Sequence, residues 1–188
     1  MQDPERTPDA PRSSRGKTVI VAFAVLVVLY FGITNGIRWY VSSQIHKSEG
    51  VPMPEFELKD LKGQTWTTAN LRGKTTVLNF FRSRCPNCLK ERDVIRQLHR
   101  DVDPSKVQII GVMTDKVVGY GADVMERTLE RFDYQHPILM ADRQFIDAFH
   151  GAGWAHVTPI TYVVDAQGRI THALRGHQTL DTLRSATR

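Results

Sequence analysis

The longest feature of the hydropathy pattern is an apolar run of twenty residues, Thr18 to Ile37, with no charge between Lys17 and Arg38. At about 1.5 Å per residue such a run reaches roughly 30 Å, the thickness of a bilayer's hydrocarbon core, and it predicts a single transmembrane helix. Trp39 and Tyr40 follow directly, where amphipathic rings favour the membrane interface. A cleaved signal sequence is the competing reading, but its apolar stretch is only about 7 to 15 residues long, and no A-x-A-like site follows here. Arg6, Arg12, Arg15 and Lys17 precede the run, whereas only Arg38 and Lys47 follow closely. That asymmetry predicts a cytoplasmic N-terminus, with the larger C-terminal part across the membrane. In a bacterium this is the periplasm, a compartment kept oxidising.

The pattern divides the rest of the chain. Residues 1–17 are Pro-rich and polar without apolar periodicity, which predicts a disordered cytoplasmic tail before the 18–37 anchor. Residues 38–50 read as a linker, leaving 51–188 as the folded domain. Within it, Thr75 to Phe81 is a β-branched and aromatic run, followed by a helical stretch from Pro86 to Arg100. Val107 to Met113 and Ile138 to Met140 predict buried strands, and Asp123 to Phe132 and Arg143 to Phe149 predict helices. Ile160 to Val164, the turn Asp165-Ala166-Gln167-Gly168, and Ile170 to Leu174 predict a hairpin, with Thr179 to Ser185 a closing helix. Alternating strands and helices ending in a hairpin imply an α/β sheet.

Composition then narrows the chemistry. The formal net charge of +5 is spread among interleaved acidic and basic residues without a run of like charge, which gives no footprint for nucleic acid. Only two cysteines occur, Cys85 and Cys88, too few for a disulfide framework or a four-ligand zinc site. A C-x-x-C between a buried strand and a helix places Cys85 at the helix N-terminus, where unpaired N–H groups and the helix dipole favour a thiolate. Cys85 is therefore the expected nucleophile and Cys88, one turn in, the expected resolving thiol. Pro86 falls near the first helical position, where its missing N–H is harmless. Arg82 and Arg84 precede the dithiol, and a cation close by would lower a thiol pKa further; a solvated basic surface is the alternative.

Along the helix, Cys88, Glu91, Ile95 and Leu98 recur at helical spacing, which puts Glu91 on the apolar stripe. Burial would raise its pKa toward neutrality and suit it to exchange a proton with Cys88. An exposed Glu91 paired with nearby arginines is the alternative.

Four segments carry a resemblance to a known family: Met53-Pro-Glu-Phe-Glu-Leu with Lys62-Gly-Gln; Leu71-Arg-Gly-Lys leading into Val77-Leu-Asn-Phe-Phe; the C-x-x-C; and Val157-Thr-Pro-Ile-Thr-Tyr-Val-Val-Asp. Together they resemble the TlpA/ResA-like (DsbE-like) branch of the thioredoxin superfamily, which includes membrane-anchored periplasmic thioredoxins of cytochrome c maturation. The resemblance covers essentially Val51 to Arg188. It implies a thioredoxin-like fold, a central mixed sheet flanked by helices, here preceded by the single N-terminal transmembrane helix. It further implies that Pro159 is a cis-proline opposite the dithiol and that Thr158 offers its backbone to a bound substrate chain. The family's carboxylate three residues after the second cysteine is Glu91 here, and Asn79 stands where ordinary thioredoxins keep a buried aspartate. The tryptophan that usually precedes the first cysteine is Arg84, a departure that bears on partner recognition and redox potential. Trp154 and His156, in the loop Gly151 to Val157, are positioned in sequence to border the dithiol, although a packed tryptophan and a solvated histidine are the simpler reading.

The expected catalytic residues are thus Cys85, Cys88 and Glu91, with Thr158, Pro159, Arg84 and Trp154 on the substrate side. The only redox group required is the Cys85–Cys88 disulfide, with no further cofactor and no metal. By resemblance the chain is a thiol-disulfide oxidoreductase that keeps thiols of exported proteins reduced and receives electrons from a membrane thiol carrier. An oxidase or isomerase would use the same architecture with a less stable disulfide. A copper(I) metallochaperone using both thiols and a nearby histidine is a further alternative.

Overall fold

The computed structural model describes residues 15–188. The expected tail, 1–17, therefore lies outside the described residues except for its last three, which begin a helix. The chain divides between Val41 and Ser42 into two compact units.

Helix α1 (Arg15–His46) contains the predicted anchor and is longer than it. Residues 38–46 were expected as part of the linker, yet they hold no Pro or Gly to stop the helix, and it runs on to His46. Val19–Ser43 is long and apolar enough to cross a membrane. Its large side chains, among them Phe23, Leu26, Tyr30, Ile33 and Ile37, are exposed all round, the pattern of a helix whose solvent is lipid.

The second unit starts before the expected boundary. Gly50 N–H donates to Ile170 O at 2.7 Å, and the Glu49 carboxylate accepts from Ala173 N–H at 2.8 Å. Strands β1 (Glu57–Lys59) and β2 (Thr65–Thr67) form a small antiparallel hairpin. A five-stranded sheet follows, built from β3 (Thr75–Phe81), β4 (Val107–Met113), β5 (Ile138–Met140), β6 (Ile160–Val164) and β7 (Ile170–Arg175). Its order is β5-β4-β3-β6-β7, parallel from β3 through β5 and antiparallel from β3 through β7. Helices α2 (Pro86–Asp101), α3 (Asp115–Val118), α4 (Ala122–Phe132), α5 (Arg143–His150) and α6 (Leu180–Ala186) complete the α/β thioredoxin-like fold.

Strand β3 is buried on both faces, as its apolar run requires. Successive side chains alternate between faces. Phe80 meets Phe145, Phe149 and Tyr162 with ring centroids 5.4 to 5.7 Å apart. On the opposite face, Val77 packs in a cluster with Ile95 and Leu98, Asn79 meets Glu91, and Phe81 shares a cluster with Cys88. The helical stripe Cys88, Glu91, Ile95 and Leu98 thus lies along the strand stripe Phe81, Asn79 and Val77, and all four helix residues are buried.

Candidate active site

The dithiol lies where β3 hands over to α2. Cys85 occupies the N-cap of α2 in extended conformation and Pro86 the first turn. Cys88 N–H points at the Cys85 sulfur from 3.1 Å. A donor aimed there, at the positive end of a sixteen-residue helix, stabilises negative charge on that sulfur when the dithiol is reduced. The two cysteines are joined as a disulfide. Cys85 is 7% exposed and Cys88 1%, so an incoming thiol or disulfide meets Cys85 first.

Glu91 is buried as the stripe predicts, with 1% exposure. Its carboxylate accepts from Asn79 Nδ2 at 3.0 Å and from the Gln178 backbone N–H at 2.8 Å, while Asn79 also donates to Thr161 Oγ1 at 3.0 Å. Desolvation outweighs these two hydrogen bonds and raises the Glu91 pKa to about 7. The side chain sits one helical turn from Cys88 on the same buried face, poised to hold or release a proton at neutral pH.

Across the sulfur, the Thr158–Pro159 peptide is cis, and Pro159 O accepts from Gly176 N–H at 2.8 Å. Thr158 approaches Cys85 Sγ with its hydroxyl at 3.4 Å and its carbonyl oxygen at 3.5 Å. Cys85, Cys88, Glu91, Thr158 and Pro159 therefore come together. Arg84 sits at the mouth of this group, exposed, with its guanidinium 5.6 Å from the centroid of the Tyr120 ring. Trp154 is half-buried and turns its indole toward Gly151, where an added Cβ would lie 3.1 Å from the ring. It does not line the cleft beside Cys85. His156 offers its backbone carbonyl to Arg82 Nε at 3.3 Å, and Arg82 also donates to the Tyr120 hydroxyl at 3.1 Å. Among the described residues no cluster of three or more His, Cys, Asp or Glu is placed to hold a metal.

A second network is invisible to motif reading. Arg84 has φ +54, a left-handed conformation costly for a residue with a Cβ. The turn is held from below by Asp115, fully buried, which accepts the Ser83 backbone N–H at 2.7 Å and the Ser83 hydroxyl. Ser83 Oγ also lies 2.6 Å from Thr128 Oγ1 on α4. Burial raises the Asp115 pKa against the opposing pull of Ser83 and Arg82. Strand pairing alone brings the two together: β3 and β4 are adjacent and parallel, so the segments leaving their C-terminal ends meet.

Beside Cys85 opens a cleft of about 670 Å³ between the start of α2 and one face of α4. Leu89 and Phe132 form part of its apolar wall, and Arg84, Arg127 and Arg131 bring charge to it.

Known proteins resemble this chain along the whole domain. Residues 50–173 match the AhpC/TSA family. The thiol-disulfide oxidoreductase ResA of Geobacillus kaustophilus is 29% identical over 168 residues, covering 88% of this chain and 91% of the relative. The crystal structure of StoA from Bacillus subtilis superposes with a TM-score of 0.61 at 20% identity, over 72% of this chain and 98% of StoA. The structure of MTB DsbF in its mixed oxidised and reduced forms gives a TM-score of 0.56 at 25% identity, over 73% of this chain and 96% of DsbF.

Proposed function

The chain belongs to the AhpC/TSA family and is a thiol-disulfide oxidoreductase of the TlpA/ResA-like kind, and from that premise we propose that it reduces disulfides of exported proteins at the outer face of the cytoplasmic membrane. In this reading α1 is a permanent single-pass anchor, residues 51–188 work in the periplasm, and Arg and Lys before the helix hold the N-terminus inside. The observation that carries the reading is the N-cap sulfur of Cys85, with Cys88 N–H 3.1 Å away and a buried, half-neutral carboxyl one turn behind.

The Cys85 thiolate attacks one sulfur of a substrate disulfide, and the other substrate sulfur leaves as a thiolate and takes a proton from water. Cys88 then gives its proton to Glu91 and attacks Cys85 Sγ, breaking the mixed disulfide and releasing the second substrate thiolate, which takes up a proton from water as Glu91 returns its own to solvent. The substrate gains two electrons and two protons, and Cys85–Cys88 becomes the disulfide. Thr158 and Pro159 line the entry for the substrate chain and Arg84 borders it; Trp154 shapes the loop that carries Thr158. The dithiol is the only redox group used, and a membrane thiol carrier re-reduces it. Cysteine pairs of cytochrome c precursors are a fitting substrate class.

A Cys88→Ala variant tests the assignment, because it should accumulate mixed disulfides on Cys85 that a thiol reductant releases. No trapped species, or trapping that survives Cys85→Ala, refutes it. The opposite direction, disulfide donation, has one observation in its favour: Arg84 lines the same cleft as Cys85, and a cation that stabilises the Cys85 thiolate makes the disulfide more oxidising.

A further inference from the structure

The cleft beside Cys85 carries charge that the exchange chemistry does not need. Five residues of α4, Val124, Arg127, Thr128, Arg131 and Phe132, line it at helical spacings of three, one, three and one, so one whole face of the helix is turned to the opening. Arg127 and Arg131 are exposed on that face, and Arg84 joins them from the other wall. None of the nine lining residues is acidic. The acidic residues of α4, Asp123, Glu126 and Glu130, lie off this face, and only Asp123 engages a cleft arginine, bonding Arg127 at 2.8 Å. Both partners of that pair are about two-thirds exposed, so it is held weakly and yields readily to a better carboxylate. Arg92 of α2 ties the two walls together, donating to the Arg131 carbonyl at 3.0 Å while pairing with Asp93.

We propose that this cleft selects substrate proteins whose reactive cysteine is flanked by acidic residues, with Arg84, Arg127 and Arg131 reading their carboxylates. The inference rests on the oxidoreductase reading above. It commits to a polypeptide, because Thr158 presents backbone beside the sulfur, with its carbonyl 3.5 Å from Sγ, and a chain lying there extends naturally into the cleft. Leu89 and Phe132 supply the apolar wall on which such a segment packs, while planar guanidinium groups bind carboxylates in bidentate fashion.

The test uses the reduced full chain in detergent micelles and four disulfides: peptides with the cysteine flanked by glutamate, glutamine or lysine, and glutathione disulfide. Oxidation of the protein by each is followed at low and high salt. The proposal expects the glutamate peptide to react at least about tenfold faster than the glutamine peptide, with the lysine peptide slowest and the spread shrinking in salt. In Arg127→Gln/Arg131→Gln the glutamate-to-glutamine ratio should fall toward one, and Arg127→Lys/Arg131→Lys should restore most of it. Equal rates for the three peptides overturn the proposal and leave the oxidoreductase reading standing. Glutathione disulfide matching the glutamate peptide, with the same arginine dependence, overturns the polypeptide assignment. If none of the four oxidises the protein, both readings fall.

Discussion

Replacing Glu91 by Gln separates the burial of this group from its chemistry. The Glu91 pKa stands at about 7 against 4.5 for the free group, so the folded protein disfavours the ionised carboxylate by about 3 kcal/mol. The sign follows from linkage: a raised folded-state pKa leaves this contribution intact below pH 4.5 and progressively removes stability as pH rises through 7. Glutamine never ionises, but it presents only one acceptor to two donors, Asn79 Nδ2 and Gln178 N–H, which costs about 1 kcal/mol. Glu91→Gln should therefore be less stable than the native chain by about 1 kcal/mol at pH 4, match it near pH 5, and be more stable by about 2 kcal/mol at pH 8. Urea unfolding of the detergent-solubilised chain at these pH values reads the difference, and titrations shared by both proteins cancel. A stability difference that stays constant from pH 4 to pH 8 refutes the reasoning. The same variant should slow the Cys88 attack by about a hundredfold and abolish its inflection near neutral pH.

Further expectations follow from the buried polar groups. Asp115→Ala strands the Ser83 N–H in the interior and should destabilise the chain by about 3 kcal/mol in the same unfolding assay, with Asp115→Asn recovering part of the loss; a change below about 0.5 kcal/mol contradicts the structural role. Desolvation lowers the pKa of buried His136 to about 3 and that of half-buried His150 to about 4, His99 adding to the effect at His136. A depressed histidine contributes fully above pH 6.5 and is lost on acidification, so stability should fall as pH drops from 6.5 toward 4. Both ring nitrogens of His136 lack a hydrogen-bond partner among the described residues, so His136→Leu should reduce that acid loss and raise neutral stability by about 1 kcal/mol. An unchanged acid profile in His136→Leu counts against this account.

How far the sequence reached can be traced residue by residue. Strands β3, β4, β6 and β7 were legible because each is an apolar or β-branched run bounded by turn residues, and the hairpin turn at Asp165 to Gly168 set the last pair. The β1–β2 hairpin was missed because its strands are three residues long and largely exposed. Helix α3 was missed because four residues cannot display a period. Glu91 was readable because a carboxyl on an apolar stripe violates the pattern around it, and the neighbouring strand stripe explains how it is held. Ser83 and Asp115 were not readable, since they meet across 32 residues through strand pairing alone. The cleft arginines look like an ordinary solvated helix face until the start of α2 is placed opposite. Nearness in sequence to Thr158 puts Trp154 on the substrate side, whereas its ring turns back on Gly151.

Whether the Cys85–Cys88 pair works as a reductant is read from its reduction potential in the full chain, equilibrated against defined thiol buffers. A reductant should show a value near that of thioredoxin, about −270 mV. A value near the roughly −120 mV of a strong oxidant would contradict that role and make the chain a disulfide donor.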